Sequence, residues 1–280
     1  VSIEAQERAE ASAPGGVRRF SPGVWLATAT VPLVSLITLL AAWEFVLWYF
    51  AVEPFLFPTP RAVLAALAND LMSVQYWGHV GVTLTEIITG FLAGSVVGIL
   101  IGTLLALSRP AERVLYPYVV ALQSVPKVAI APLMIVWFGF GIGSKILIVA
   151  LTAMFPVLVN TIAGFKSTEA DRVALLRGLC ATRWQMLRYL LLPSAMPYIF
   201  AGLNTAIVFS VIGAIVGEFV GARQGIGVVI LKANFGLDLA AVFSSLVVLA
   251  TIGVLLNAAV RALEQRVCFW SRKGLRTVGE

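Results

Sequence analysis

Charge is what this sequence has least of. Only 12% of its 280 residues are Asp, Glu, Lys or Arg, against about 25% in soluble domains, and its mean hydropathy is +0.95. A chain this apolar cannot hide its surface in a water-exposed fold, so a bilayer must take part of it. His79 is the single histidine, and Cys180 and Cys268 are the only cysteines, so no spacing marks a metal site. Both cysteines fall in segments assigned below to the cytoplasm, where a disulfide is not expected. A phosphate-cradling glycine loop ending in Gly-Lys-Ser or Gly-Lys-Thr is missing; the glycines before Lys145 do not lead into one. The apolar runs also lack paired polar residues at catalytic spacing, which argues against an intramembrane enzyme. No cofactor of its own is expected. A net charge of +6 would suggest nucleic acid in a soluble protein, but in a membrane chain the placement of the charges carries the meaning, and no nucleic acid partner is expected.

A spanning helix takes about 20 mostly apolar residues. Such runs at 25–50, 80–107, 114–138, 145–165, 195–220 and 240–262 predict an all-α membrane protein of about six transmembrane helices. The third run is interrupted by Pro117, Pro126 and Pro132. Fifteen of the twenty Lys and Arg fall in 1–24, 108–113, 166–193 and 261–280, while Arg61, Lys145, Arg223 and Lys232 fall in the alternate loops. The excess places both termini in the cytoplasm. Residues 1–22 have no signal-peptide pattern and read as a disordered cytoplasmic tail, 23–265 as the membrane domain, and 266–280 as a second cytoplasmic tail.

Gly90, Gly94, Gly98 and Gly102 recur every four residues and share one helix face, which lets another backbone approach, either within the subunit or in a homodimer. Ionisable residues inside spans are costly and so are candidates for the translocation pathway: Glu44, Glu86, Lys127 and Glu218. Glu44 and Glu86 lie near outer span ends, within reach of interfacial water. Lys127 follows Pro126 in a broken helix and is either a pathway residue or an internal ion-pair partner, with Glu218 available to it.

The longest basic loop runs from Lys166 to Pro193. Ser167 or Thr168 can cap a helix there, Glu169 and Asp171 suit its start, and Val173, Leu175, Leu176 and Leu179 supply an apolar side among Arg172, Arg177 and Arg183. A second short amphipathic piece, Trp184 to Leu192, is expected to end at Pro193. An interfacial helix resting on membrane lipid is the plain alternative.

This loop resembles the signature of binding-protein-dependent ABC transporter permeases: a Glu-Ala-Ala, a Gly and, further on, a Leu-Pro. Ala181-Thr182-Arg183-Trp184-Gln185 and Leu192-Pro193-Ser194-Ala195-Met196-Pro197 carry the likeness, with Gly202-Leu203 after them. Cys180 stands where the family has its glycine, and Ala174-Leu175-Leu176 where it has Glu-Ala-Ala. Trp43-Glu44, Phe57-Pro58-Thr59-Pro60, Gln123-Ser124-Val125-Pro126, Trp137-Phe138-Gly139-Phe140-Gly141, and Glu218 followed by Gly225-Ile226-Gly227 resemble the nitrate, sulfonate and taurine branch.

The resemblance implies a type I ABC importer permease fold in the bacterial inner membrane, as a subunit moving a small anion. Its partners would be a second permease copy, two ATP-binding cassette ATPase subunits holding ATP and Mg, and a periplasmic substrate-binding protein. Arg172, Leu175, Leu176, Arg177, Gly178, Leu179 and Arg183 would couple it to the ATPase. Glu86, which stands where anion-transporting relatives often have Arg, and the stretch 234–243 keep open a thiamine-type pyrimidine precursor, riboflavin or an aromatic carboxylate as solute.

Overall fold

A computed structural model describes residues 22–53 and 55–270. The tail expected at 1–22 lies outside the described residues except for Pro22, and the tail expected at 266–280 lies outside them beyond Trp270. Contacts divide the chain into two units, Val1–Val52 and Glu53–Glu280.

The first unit holds α1, Pro22–Tyr49, which carries the candidate Glu44. This helix is 28 residues long, and its stretch Val34–Tyr49 is apolar. The second unit contains α2 (Pro60–Met72), α3 (Val74–Leu107), α4 (Arg109–Ser124), α5 (Lys127–Phe138), α6 (Ile142–Lys166), α7 (Ala170–Gly178), α8 (Arg183–Met186), α9 (Leu192–Gly221), α10 (Ile226–Phe235) and α11 (Leu239–Val267). Among the described residues there is no strand.

Among the described residues, four segments are long and apolar enough to cross a membrane: Val74–Leu107, Ile142–Lys166, Arg183–Gly221 and Leu239–Val267. The run expected to cross at 114–138 is instead a bent pair, α4 and α5, whose axes differ by 93°; counted as one, it makes five. The break falls at Val125-Pro126. Pro126 has no N–H to continue the helix and disfavours helical geometry in the residue before it, and Val125 is extended (φ −69°, ψ 128°).

Two short helices stand where only loops were expected. The signal for α2 was there to read: Thr59 caps it, accepting from the Ala62 N–H at 3.3 Å, and Pro60 opens it. For α10 no cap residue precedes Ile226, so nothing local announced it.

At the centre of the second unit is α6, with α3 on one side and α9 on another. A Cβ at Gly90 would meet Val149 Cβ at 2.5 Å, one at Gly98 the Met154 carbonyl oxygen at 2.6 Å, and one at Gly102 Thr161 Cβ at 2.8 Å, while Gly94 sits on the Ala150 carbonyl. The glycine stripe therefore faces a helix of its own chain. A second seam, unremarked in the sequence, adjoins it on α6, sharing Val149 and Val157. Gly202 packs on Asn160 and Pro156, Gly213 on Thr152, and Gly217 on Lys145, all between α9 and α6, while Gly164 of α6 packs on Ala195. Where lipid tails are as apolar as side chains, such close approach is a main source of helix association.

Candidate functional site

Between α6 and α9 the basic loop forms a short helix that buries none of its residues. Ser167 and Thr168 do not cap it. Ser167 closes α6 instead, donating from Oγ to the Gly164 carbonyl at 2.8 Å, and Glu169 is the N-cap of α7. Glu169 also pairs with Arg172, Nε to Oε2, at 2.8 Å. Val173 and Leu176 are half-buried, whereas Leu175 and Leu179, four residues apart and so on one face, are 65% and 69% exposed. Arg177, Gly178 and Arg183 are exposed beside them.

The end of α7 explains a departure noted in the loop. Cys180 has φ 55°, its N–H donates to the Arg177 carbonyl at 2.9 Å, and the Ala181 N–H reaches the Leu176 carbonyl at 3.0 Å. That pair of bonds is a Schellman cap, whose left-handed residue is glycine in most helices. Cys180 thus occupies the position where the resembled signature has its glycine, and it bears a left-handed strain of about 1 kcal/mol. Cys180→Gly is expected to slow hydrogen exchange of the amides in 170–181 by about fivefold without lowering transport. Unchanged or faster exchange would count against this geometry.

Thr182 and Gln185 then form a reciprocal capping box, and α8 passes through a π-helical turn, Leu187–Leu191, directly into α9. The piece expected to stop at Pro193 does not stop. Proline lacks an N–H and crowds the preceding turn, and here it falls in the first turn of α9, just after the wider π turn, where neither defect breaks a bond. Arg183 to Gly221 is consequently one apolar segment of 39 residues.

A polar cluster lies at the far end of α9. Glu86 and Glu218 are 1% and 0% exposed, so Glu86 does not reach interfacial water from its span end. The two carboxyl groups meet, and the charge of Lys145 acts on both. Lys145 belongs to the first turn of α6 rather than to an exposed loop; it is 3% exposed and donates to the Phe140 and Gly141 carbonyls at 2.8 and 3.1 Å. Glu218 accepts the Thr83 hydroxyl at 2.6 Å and the Gly227 N–H at 2.5 Å. Thr83, 0% exposed, accepts the Ile226 N–H at 2.9 Å, and His79 Nδ1 accepts the Gly225 N–H at 3.0 Å.

Sequence reasoning missed Thr83, His79 and Lys145. The signal for two of them existed: His79, Thr83, Glu86, Gly90 and Gly94 recur at spacings of four, three, four and four, one unbroken face of α3. Lys127 lies apart from this cluster. Its ammonium donates to the Gln123 carbonyl at 2.7 Å and sits 4.8 Å from the centre of the Phe155 ring, so it satisfies a carbonyl freed where α4 ends rather than pairing with Glu218.

A cavity of about 870 Å³ opens between α9 and α11. Its lining is mostly apolar but includes Asn204, Thr205, Asn257 and Arg261. Asn204 donates to Glu264 at 2.8 Å, and Asn257 to the Asn204 carbonyl at 3.2 Å.

Apolar crossing helices joined by close glycine seams, a bare helix with exposed leucines at one end and a buried polar cluster at the other define a polytopic membrane transport subunit. The chain belongs to the family of binding-protein-dependent transport system inner membrane components, whose profile matches residues 94–268. It is 34% identical over 245 residues to the formylaminopyrimidine transport permease protein ThiX of Halalkalibacterium halodurans, covering 88% of this chain and 97% of that protein. It is 31% identical over 246 residues to the taurine transport system permease protein TauC of Escherichia coli, covering 86% and 90%. A chain of the MetNI methionine ABC transporter in an inward-facing conformation superimposes with a TM-score of 0.62 at 21% identity, over 70% of this chain and 97% of that one. The fold is that of a type I ABC importer permease, and the protein is an inner-membrane transport subunit.

Proposed function

We propose that the chain works as one of two identical permease subunits, joined to two ATPase subunits that hold ATP and Mg and served by a periplasmic binding protein. Its termini and α7 face the cytoplasm, and α10 faces outward. The observation that carries this reading is α7, with Leu175 and Leu179 bare to solvent between Arg172, Arg177 and Arg183. Burying those leucines requires a partner with an apolar groove, and a permease needs one site where nucleotide-driven closure can push on it. The chain α8–π turn–α9 then gives the push a continuous path to Glu218.

The solute is a small anion of the taurine or sulfonate kind, a reading supported by the likeness to TauC and by Arg261 on the cavity between α9 and α11. The likeness to ThiX favours a second reading, a formylaminopyrimidine. Reconstitution into liposomes with the cognate ATPase and binding protein tests both. Uptake should require ATP and the binding protein together, and taurine rather than a formylaminopyrimidine should compete for it. Uptake down a gradient without ATP would overturn the importer reading, and competition by the pyrimidine alone would select the second solute.

A further inference from the structure

Three successive backbone N–H groups, those of Gly225, Ile226 and Gly227, open α10. The first turn of any helix leaves its N–H groups without partners inside the helix. Here each is taken by a different side chain from outside α10: Gly225 by His79 of α3, Ile226 by Thr83 of α3, and Gly227 by Glu218 of α9. A carboxyl group at this end also meets the positive pole of the helix. Two groups join the three elements. Thr83 Oγ1 accepts from α10 and donates to Glu218, and the Glu218 carboxyl group accepts from both Thr83 of α3 and Gly227 of α10.

The site is dry, with Thr83, Glu218 and Ile226 all 0% exposed. Water cannot replace a bond broken there, so α10 cannot leave α3 and α9 without stranding buried polar groups. Glu218 also lies on the same unbroken segment whose other end follows α7.

We propose that Thr83 is a positioning residue of the access cycle: its hydroxyl clasps the start of α10 to Glu218, so that α10 moves outward or inward only together with α3 and α9. The proposal rests on the permease reading above. It assigns no contact between Thr83 and the solute; the residue acts through α10.

The test uses the reconstituted importer with Cys180 and Cys268 replaced by serine and Val228, which is 7% exposed on α10, replaced by cysteine. Thr83→Val keeps the shape of the side chain and removes the hydroxyl; Thr83→Ser keeps the hydroxyl. In Thr83→Val the maximal uptake rate should fall about tenfold with half-saturation by the loaded binding protein unchanged, and the cysteine at 228 should react with an impermeant maleimide. Thr83→Ser should transport and resist labelling like the parent. Protection of the cysteine in Thr83→Val, or a Thr83→Ser variant as impaired as Thr83→Val, would overturn the clasp. If Thr83→Val does not assemble, Glu218→Gln takes its place, since it turns one acceptor into a donor at constant volume; labelling supports the proposal and protection overturns it. Absence of ATP-dependent uptake in the parent would instead overturn the permease reading itself.

Discussion

Gly225→Val should abolish uptake in the reconstituted importer and lower the yield of folded protein. Two independent effects act at this residue. Its backbone has φ 126° and ψ 162°, a region essentially reserved for glycine, and holding another residue there costs about 1–3 kcal/mol. A Cβ would also collide with the carboxyl group of Glu218, which is fixed by Thr83 and Gly227. Overpacking of that kind costs about 1–3 kcal/mol more. Adding Glu218→Ser should relieve the collision but leave the backbone strain and lose the clasp, so the double variant should remain inactive, with a stability loss smaller than the sum of the single losses. Gel filtration and thermal unfolding in detergent, followed by uptake, measure this. Near-normal transport by Gly225→Val would refute the geometry of the turn.

Arg177→Glu should have the opposite profile, with full insertion and stability but at least tenfold less uptake. Arg177 is exposed and α7 buries nothing, so a change there lies within about 0.5 kcal/mol of neutral for folding. At a docking surface the same change reverses the charge of one of the arginines at the rim of the proposed ATPase groove. Reversing a charge so that it faces one of like sign across an interface costs several kcal/mol, above the roughly 1.4 kcal/mol of a tenfold effect. Leu179→Asp should behave alike, because it removes one of the two bare anchors. The ratio of solute moved to ATP hydrolysed in liposomes is the measurement. Unchanged uptake in both variants would remove α7 from the coupling path.

Much of the loop was legible because its determinants are local. Glu169 and Asp171 suit the start of a helix there, and a helix forms; the expected segregation of Leu175, Leu176 and Leu179 from the arginines onto separate faces does not appear in it. Which leucines are bare was not legible, since Leu176 is half-buried and Leu175 and Leu179 are not. The prolines show the same division. Pro126 breaks its run and Pro193 does not, though both are conformationally identical as residues. The difference is the turn each one meets, an extended Val125 in one case and a π-helical turn in the other.

By itself the sequence determined that this is an all-helical membrane protein, because hydropathy over a window of about 20 residues depends on composition alone. It also marked the close-packing stripe of α3, because spacing fixes the face of a helix. Only the tertiary structure decided that this stripe meets α6 and that a second glycine seam holds α9. It likewise decided that Glu86, Glu218 and Lys145 are gathered in one dry cluster instead of being spread among span ends. Thr83 and Glu218 stand 135 positions apart in the chain. Contacts of that separation arise from the packing of whole helices, and no window along the sequence contains both partners.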